Sequence, residues 1–408
     1  MRLDVDFVRA QFPAFQEPSL RDQAFFENAG GSYACRYVVW RLHRFYRERK
    51  VQPYGPYAAS RAGGDEMDQA RWRLAPMLGV ETDELSFGPS TTANAYVLAQ
   101  AFREWLPEGS AIVVTDQDHE ANSGPWRRLA QSGVEVREWR MDPATGHLDP
   151  EALSRLLEDG RVRLVAFPHC SNVVGEFNDV PRVSAMARAA GAVTCVDGVS
   201  YAPHGLPNVR KLGADIYLFS AYKTYGPHQG LMVIRRSLGF ELPSQAHFFN
   251  GDALHKRFTP AGPDHAQVAA CAGIADYLDA LYDHHQSAGR DGAGRAEVTR
   301  GLMQAHETRL LDRLLGFLRG RNDIRVLGPT DAARRAPTVA IECARPGEEV
   351  AADLAQHGIM AGGGDFYAVR ALKAMGVDPG RGVLRLSFVH YTAEEEMDRL
   401  LEALEHVL

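Results

Sequence analysis

Asp197 closes the apolar run Val193–Asp197 (VTCVD), and Lys223 lies 26 positions on, just past a second run, Ile216–Ser220 (IYLFS). A carboxylate and an amine placed this way could meet across a pyridine ring. The amine would form a Schiff base with an aldehyde on that ring. The carboxylate would keep the ring nitrogen protonated, so that the ring accepts electrons. Pyridoxal phosphate needs this pair. Burial and a nearby cation would lower the lysine's pKa and make it a usable base. A phosphate also needs backbone N–H groups and hydroxyls at a helix N-terminus. Ser90, Thr91 and Thr92, between residues 85–87 (LSF) and the helix-like 93–102, supply them, and Ser220 adds a hydroxyl.

These residues need elements to hold them. Short apolar runs without alternation recur at Ala111–Thr115 (AIVVT), 163–167 (RLVAF) and 231–235 (LMVIR) as well as at the two runs above. Such runs suit strands buried on both faces. Helix-like segments at 151–157 (EALSRLL) and 183–190 (VSAMARAA) separate several of them. Strand, helix and strand in succession predict an α/β fold with a mostly parallel sheet covered by helices. Ligands of such sheets bind beyond the carboxyl ends of the strands. There the sequence places His119, His169, Asn172, Asp197 and Lys223.

Residues 287–295 (SAGRDGAGR) are Gly-rich and predict a loop at a domain boundary. Leu310, Leu311, Leu314, Leu315 and Leu318 predict a helix over 308–318, stopped at Gly320. Strands at 338–343 and 383–388 follow, then a helix starting near Thr392 with Thr392 and Glu395 as a capping box. Met397, Leu400, Leu401, Leu404 and Leu408 line one face of that helix. The resulting division is an N-terminal segment (1–20) packing on the small domain, a large domain (21–286) and a smaller C-terminal α+β domain (287–408).

Composition removes several classes. The 408 residues carry 45 Lys and Arg against 52 Asp and Glu, a net charge of −7, which disfavours a nucleic-acid partner. No apolar run is long enough to span a membrane, and Asp4 and Asp6 break up any signal-peptide core. The five cysteines are scattered with no CxxC spacing, which argues against disulfides or zinc and suits a cytoplasmic protein. The pair His284-His285 does not make a metal site. Gly292-Ala293-Gly294 lacks the third glycine and the preceding strand of a dinucleotide fingerprint.

Taken in order, several segments resemble the cysteine desulfurase-like branch of the class V aminotransferases, which are fold-type I pyridoxal-phosphate enzymes. They are FFENAGGS, FGPSTTANA, DHEANSGPW, SNVVGE, VDGVS, FSAYKTYGP and LRLSFVHYTAEEE. The resemblance runs from about Phe25 to the C-terminus. It implies a seven-stranded-type sheet and Lys223 as the Schiff-base lysine. It further implies Asp197 on the pyridine nitrogen, His119 stacked on the ring, and Asn172 on cofactor or substrate. Arg385 would clamp a substrate carboxylate, a task suited to a bidentate guanidinium. Asn28, in the entry loop, would join the substrate contacts. A homodimer is implied as well.

The departures bear on the reaction. The desulfurase loop carries a cysteine that attacks substrate sulfur. The matching stretch here is Gly362-Gly363-Gly364-Asp365-Phe366-Tyr367, and no cysteine follows Cys343. Phe366 and Tyr367 stand there as substrate contacts instead. Tyr222 replaces the family's phosphate-binding histidine, and Ser200 replaces the glutamine that meets the ring hydroxyl. Ala261-Gly262 runs into Pro263, without the threonine of the family's AGT motif. The expectation is an amino-acid enzyme working by transamination or β-elimination of the C–S lyase type, without persulfide formation. Epimerisation on the same scaffold, or a partner-binding protein without chemistry, are the alternatives. The lack of GxGxxG disfavours a nicotinamide dehydrogenase.

Overall fold

The computed structural model describes residues 2–286 and 288–408. Ser287, where the sequence places the start of the small domain, and Met1 lie outside them. The chain enters through β1 (Ala24–Phe25). Seven strands then form the main sheet: β2 (Leu85–Gly88), β3 (Ala111–Thr115), β4 (Glu135–Trp139), β5 (Val162–Pro168), β6 (Val193–Asp197), β7 (Ile216–Ser220) and β8 (Gly230–Ile234). Their order is β2-β8-β7-β6-β5-β3-β4. Neighbours from β4 to β7 are parallel, and β8 runs antiparallel to both β7 and β2. Every residue of β2, β3, β7 and β8 is buried, as expected for strands covered on both faces.

The second sheet is built from β9 (Arg325–Val326), β10 (Thr338–Glu342), β12 (Gly362–Gly364) and β13 (Val383–Ser387), with the two-residue β11 (Ile359–Met360) paired to β1. It is antiparallel in the order β12-β13-β10-β9. A leucine-rich core unites it with the long helix Gly292–Arg319 and the last helix, Glu394–Val407. The fold is thus α/β, a large mostly parallel sheet with a smaller α+β part behind it.

Two boundaries differ from the sequence expectation. The predicted loop ends early, because Asp291 accepts a hydrogen bond from the Gly294 N–H and starts a helix of 28 residues at Gly292. Three glycines in its first half hide the pattern, although Ala296, Thr299, Leu302 and Met303 continue the buried face. At its other end the helix stops where expected, capped by Gly320 with a right-handed backbone, φ −75°. The last helix is capped one residue later than expected, by a hydrogen bond from the Ala393 N–H to Glu396. Thr392 instead gives its carbonyl to His306 at 2.8 Å.

Candidate active site

The parallel strands deliver polar residues to one edge. Past β3 come Asp118 and His119, past β5 His169 and Asn172, at the end of β6 Asp197, and past β7 Lys223. Asp118, His119, Asn172, Asp197 and Lys223 line one cavity of about 290 Å³ together with Ser90, Thr91, Thr92, Ser200, Ser220 and Tyr222. A contiguous cavity of about 560 Å³ shares His119, Asn172 and Lys223 and adds Glu27, Arg128, Phe366, Tyr367 and Arg385. Asn28 lies apart. Its side chain accepts from the Tyr391 hydroxyl at 2.6 Å and lines a much smaller void beside Lys223 and Ser200.

At the first cavity's closed end, Ser90 caps the helix Thr91–Trp105 by accepting from the Ala93 N–H at 3.1 Å. The Thr91 and Ser220 hydroxyls hydrogen-bond each other at 2.7 Å. Gly230 passes so close that a Cβ there would lie 2.4 Å from the Ser90 carbonyl carbon. Free helix N–H groups, hydroxyls and the macrodipole form a seat for a phosphate. Tyr222 stands nearby with its ring stacked on His228 at 4.8 Å.

Lys223 is 9% exposed. Burial, then the Arg385 charge, pull its amine down to about 8, against the opposing pull of Asp197 and Glu27. Asp197 is 5% exposed, and it accepts from the Val199 N–H at 2.8 Å. Burial raises its carboxyl, while that hydrogen bond and Lys223 hold it down. His119 caps its own helix, its Nδ1 accepting from the Ala121 N–H at 3.0 Å. Burial and the charges of Lys223 and Arg385 push the imidazole down to about 3, so the ring is neutral at physiological pH. A neutral ring wall, a buried carboxyl, a free amine and a phosphate seat fit a pyridine aldehyde phosphate.

Arg385, on β13, is 3% exposed. It is already engaged: Nη2 donates to Glu27 Oε1 at 2.7 Å and Nη1 to the Asn172 carbonyl at 3.3 Å. Phe366 lies flat over the guanidinium, 3.8 Å from its carbon. Asn172 in turn donates to the Phe366 carbonyl at 2.9 Å. Phe366 and Tyr367 both take left-handed backbone, φ 52° and 55°. Two adjacent side-chain-bearing residues in that region cost on the order of 1 kcal/mol or more each, held here by the loop's contacts. Tyr367 is largely exposed, and its ring tilts toward His119 at 5.6 Å.

Sequence reasoning did not single out Glu27, Asp118 or His228. Asp118 is buried in the same cavity as Asp197, and burial and that neighbour both raise its carboxyl. Its position directly before His119 at a strand end was the available signal. Glu27 precedes Asn28 in the FFENAGGS segment, yet its partner lies 358 residues away.

The class-V aminotransferase family model matches residues 24–252 and 296–400. The aminotransferase-like protein FGM3 of Gibberella zeae is 32% identical, with 99% of this chain and 98% of that protein covered. A cysteine desulfurase of Yersinia pestis is 27% identical, with 100% and 99% covered. Among solved structures, the apo cysteine desulfurase of Thermococcus onnurineus superposes at TM-score 0.85 with 23% identity, over 100% of this chain and 98% of that one. The cysteine desulfurase CsdA of Escherichia coli superposes at 0.81 with 24% identity, over 100% and 99%.

Proposed function

The chain belongs to the class V aminotransferase family, and we propose that it transforms an amino-acid substrate by transamination or β-elimination of the C–S lyase type, without forming a protein persulfide. Its cofactor is pyridoxal phosphate. When bound, that group supplies a carbonyl carbon for amines and a protonated ring that takes up the electron pair left at the substrate Cα.

The residues then divide the work. Ser90, Thr91, Ser220 and Tyr222 hold the phosphate against the helix N-terminus. Asp197 would keep the ring nitrogen protonated. Neutral His119 would wall the ring, with Asn172 and Ser200 at its edge. Lys223 would hold the cofactor, and its Nζ is the base that would move the proton at the substrate Cα. Arg385 anchors the carboxyl end, with Phe366 and Tyr367 closing the cavity mouth.

The buried, partly neutralised amine of Lys223 beside Asp197 carries this reading. The absence of a loop thiol carries its negative half. Cys170 does line the cavity, but its Sγ donates to the Gly175 carbonyl at 3.2 Å. Burial pushes that thiol up to about 12. Cys343 is half-buried at about 11, for the same reason. Neither is a thiolate nucleophile at neutral pH. Sulfur leaving a substrate here would depart as a free thiol or sulfide.

Incubation with an amino-acid panel tests the reading. Amino-group transfer to an added 2-oxo acid marks transamination. Ammonia with a new 2-oxo acid marks elimination, and loss of Cα chirality alone would mark epimerisation. Alanine formed from cysteine, with a persulfide retained on the protein, would contradict the proposal.

A further inference from the structure

The outer cavity, of about 560 Å³, is lined by Glu27, Glu120, Arg128 and Arg385 besides Lys223. Three of these four charges are answered. Glu27 meets Arg385 at 2.7 Å, and Glu120 meets Arg370 at 3.2 Å. Arg128 is not answered. Among the described residues it makes no ion pair and no hydrogen bond, and its guanidinium carbon stands over the Tyr96 ring, 5.8 Å from the centroid. The preceding residue shows the contrast. Arg127 is spent on the fold, donating to Glu138 at 2.6 Å, to Ser123 at 2.8 Å and to the Thr115 carbonyl at 3.1 Å. Arg128 is exposed, so a ligand in the cavity can reach it.

Two phenols line the same cavity. Tyr96 and Tyr367 are both exposed, and neither hydroxyl has a hydrogen-bond partner among the described residues. Tyr367 is fixed there by its backbone, whose carbonyl accepts from the Glu120 N–H at 2.9 Å. A guanidinium only donates, and a phenol can donate; a carboxylate or phosphate only accepts. The guanidinium fork fits either anion with two parallel hydrogen bonds. The place of this donor set is also informative. Thr92 lines both cavities, and Tyr96 lies one turn further along the same helix, about 6 Å away by helix geometry. Arg128 follows the helix Glu120–Arg127, and a helical side chain leans toward the N-terminus of its helix, here toward His119. The unanswered cation therefore stands outward of Lys223, where the side chain of a bound amino acid extends.

We propose that Arg128 is a specificity-determining residue, and that with Tyr96 and Tyr367 it forms a subsite for an anionic group on the substrate side chain. The cavity then prefers amino acids with an acidic side chain over their neutral counterparts. This rests on the reading of the cavity as an amino-acid site and narrows its substrate class. A side-chain carboxylate and a side-chain phosphate share the required chemistry.

Matched pairs serve as probes: aspartate with asparagine, glutamate with glutamine, and O-phosphoserine with serine. Binding is read from the visible absorption of the cofactor-loaded protein and from the Tm shift of the cofactor-free protein. In at least one pair the acid is expected to bind about tenfold or more tighter than its neutral counterpart. Preference in the first two pairs indicates a carboxylate, and preference in the third alone a phosphate. Arg128→Gln is expected to bring the ratio near unity, while Arg128→Lys, which keeps the charge, preserves the order. Loss of the preference in Arg128→Gln separates this subsite from the phosphate seat. Without ligand, the Tm of Arg128→Gln is expected to match that of the wild type, since Arg128 has no partner in the fold. Neutral probes binding as tightly as acids in every pair, or a ratio unchanged in Arg128→Gln, would overturn the proposal. A protein that binds no cofactor but shows acid-selective Tm shifts, lost in Arg128→Gln, would sink the enzymatic reading and leave the subsite standing.

Discussion

At the scale of single residues, the site depends on pKa values set by burial. Lys223 keeps its proton below pH about 8, not below the ordinary 10.5, because burial and Arg385 disfavour the ammonium. In the cofactor-free protein, acylation of Lys223 should therefore rise with pH through a midpoint near 8, read by peptide mass spectrometry. Arg385→Gln removes a cation, so the midpoint should move upward; a midpoint that stays put would remove Arg385 from the account. Asp197→Asn should lower turnover by about 100-fold or more while the chain still folds, since a preorganised charge at the ring is lost. Lys223 and Asp197 were legible in the sequence because polar residues at or just past the end of a buried strand sit at the sheet's carboxyl edge. Glu27 was not legible. Its charge is answered by an arginine that only the pairing of entry strand and final sheet brings near, through the bridge from Glu27 to Ser387.

At the scale of elements, the seat for the phosphate is a matter of clearance. Gly230 on β8 lets the turn before the helix Thr91–Trp105 approach, and a methyl group there would have to displace backbone. Gly230→Ala should cost about 1–3 kcal/mol by overpacking. It should also loosen retained cofactor, measured as phosphate-bearing cofactor remaining after dialysis; unchanged retention would place the phosphate elsewhere. Strands were read well from sequence, with β3, β6 and β7 at their predicted limits, because burial on both faces leaves uninterrupted apolar runs. Helix Gly292–Arg319 was read over 11 of its 28 residues, 308–318. Its glycines and charges dilute the apolar stripe, and its start is set by Asp291 and by packing of Gly292 against Pro76, a contact no local pattern announces.

At the scale of the whole molecule, the single chain leaves several large aromatic side chains uncovered. Trp40, Tyr46, Tyr54, Tyr57 and Trp72 are each at least half exposed, and Phe248 and Phe249 are 95% and 69% exposed. Exposed apolar residues are ordinary one by one, and their number here motivates a test for a partner. A homodimer is the proposed occupant, so sedimentation should give twice the chain's 45.0 kDa. Joint replacement of Phe248 and Phe249 by Asp should shift it toward the monomer; a wild-type monomer at micromolar concentration would contradict the assignment. The two-part architecture was legible from the change of pattern along the sequence. The N-terminal segment was expected on the small domain, but its ion pairs were not legible, since Arg2 and Arg9 find Glu394 and Glu396 only in the folded molecule.

The central claim is that this chain carries pyridoxal phosphate on Lys223. The direct measurement is to load the protein with the cofactor, reduce it with borohydride, and map the label by peptide mass spectrometry. The account predicts a yellow protein whose visible band vanishes on reduction, with the label on Lys223 alone, and a colourless, unlabelled Lys223→Ala variant. A wild-type protein that stays colourless, or a label on another lysine, would contradict it.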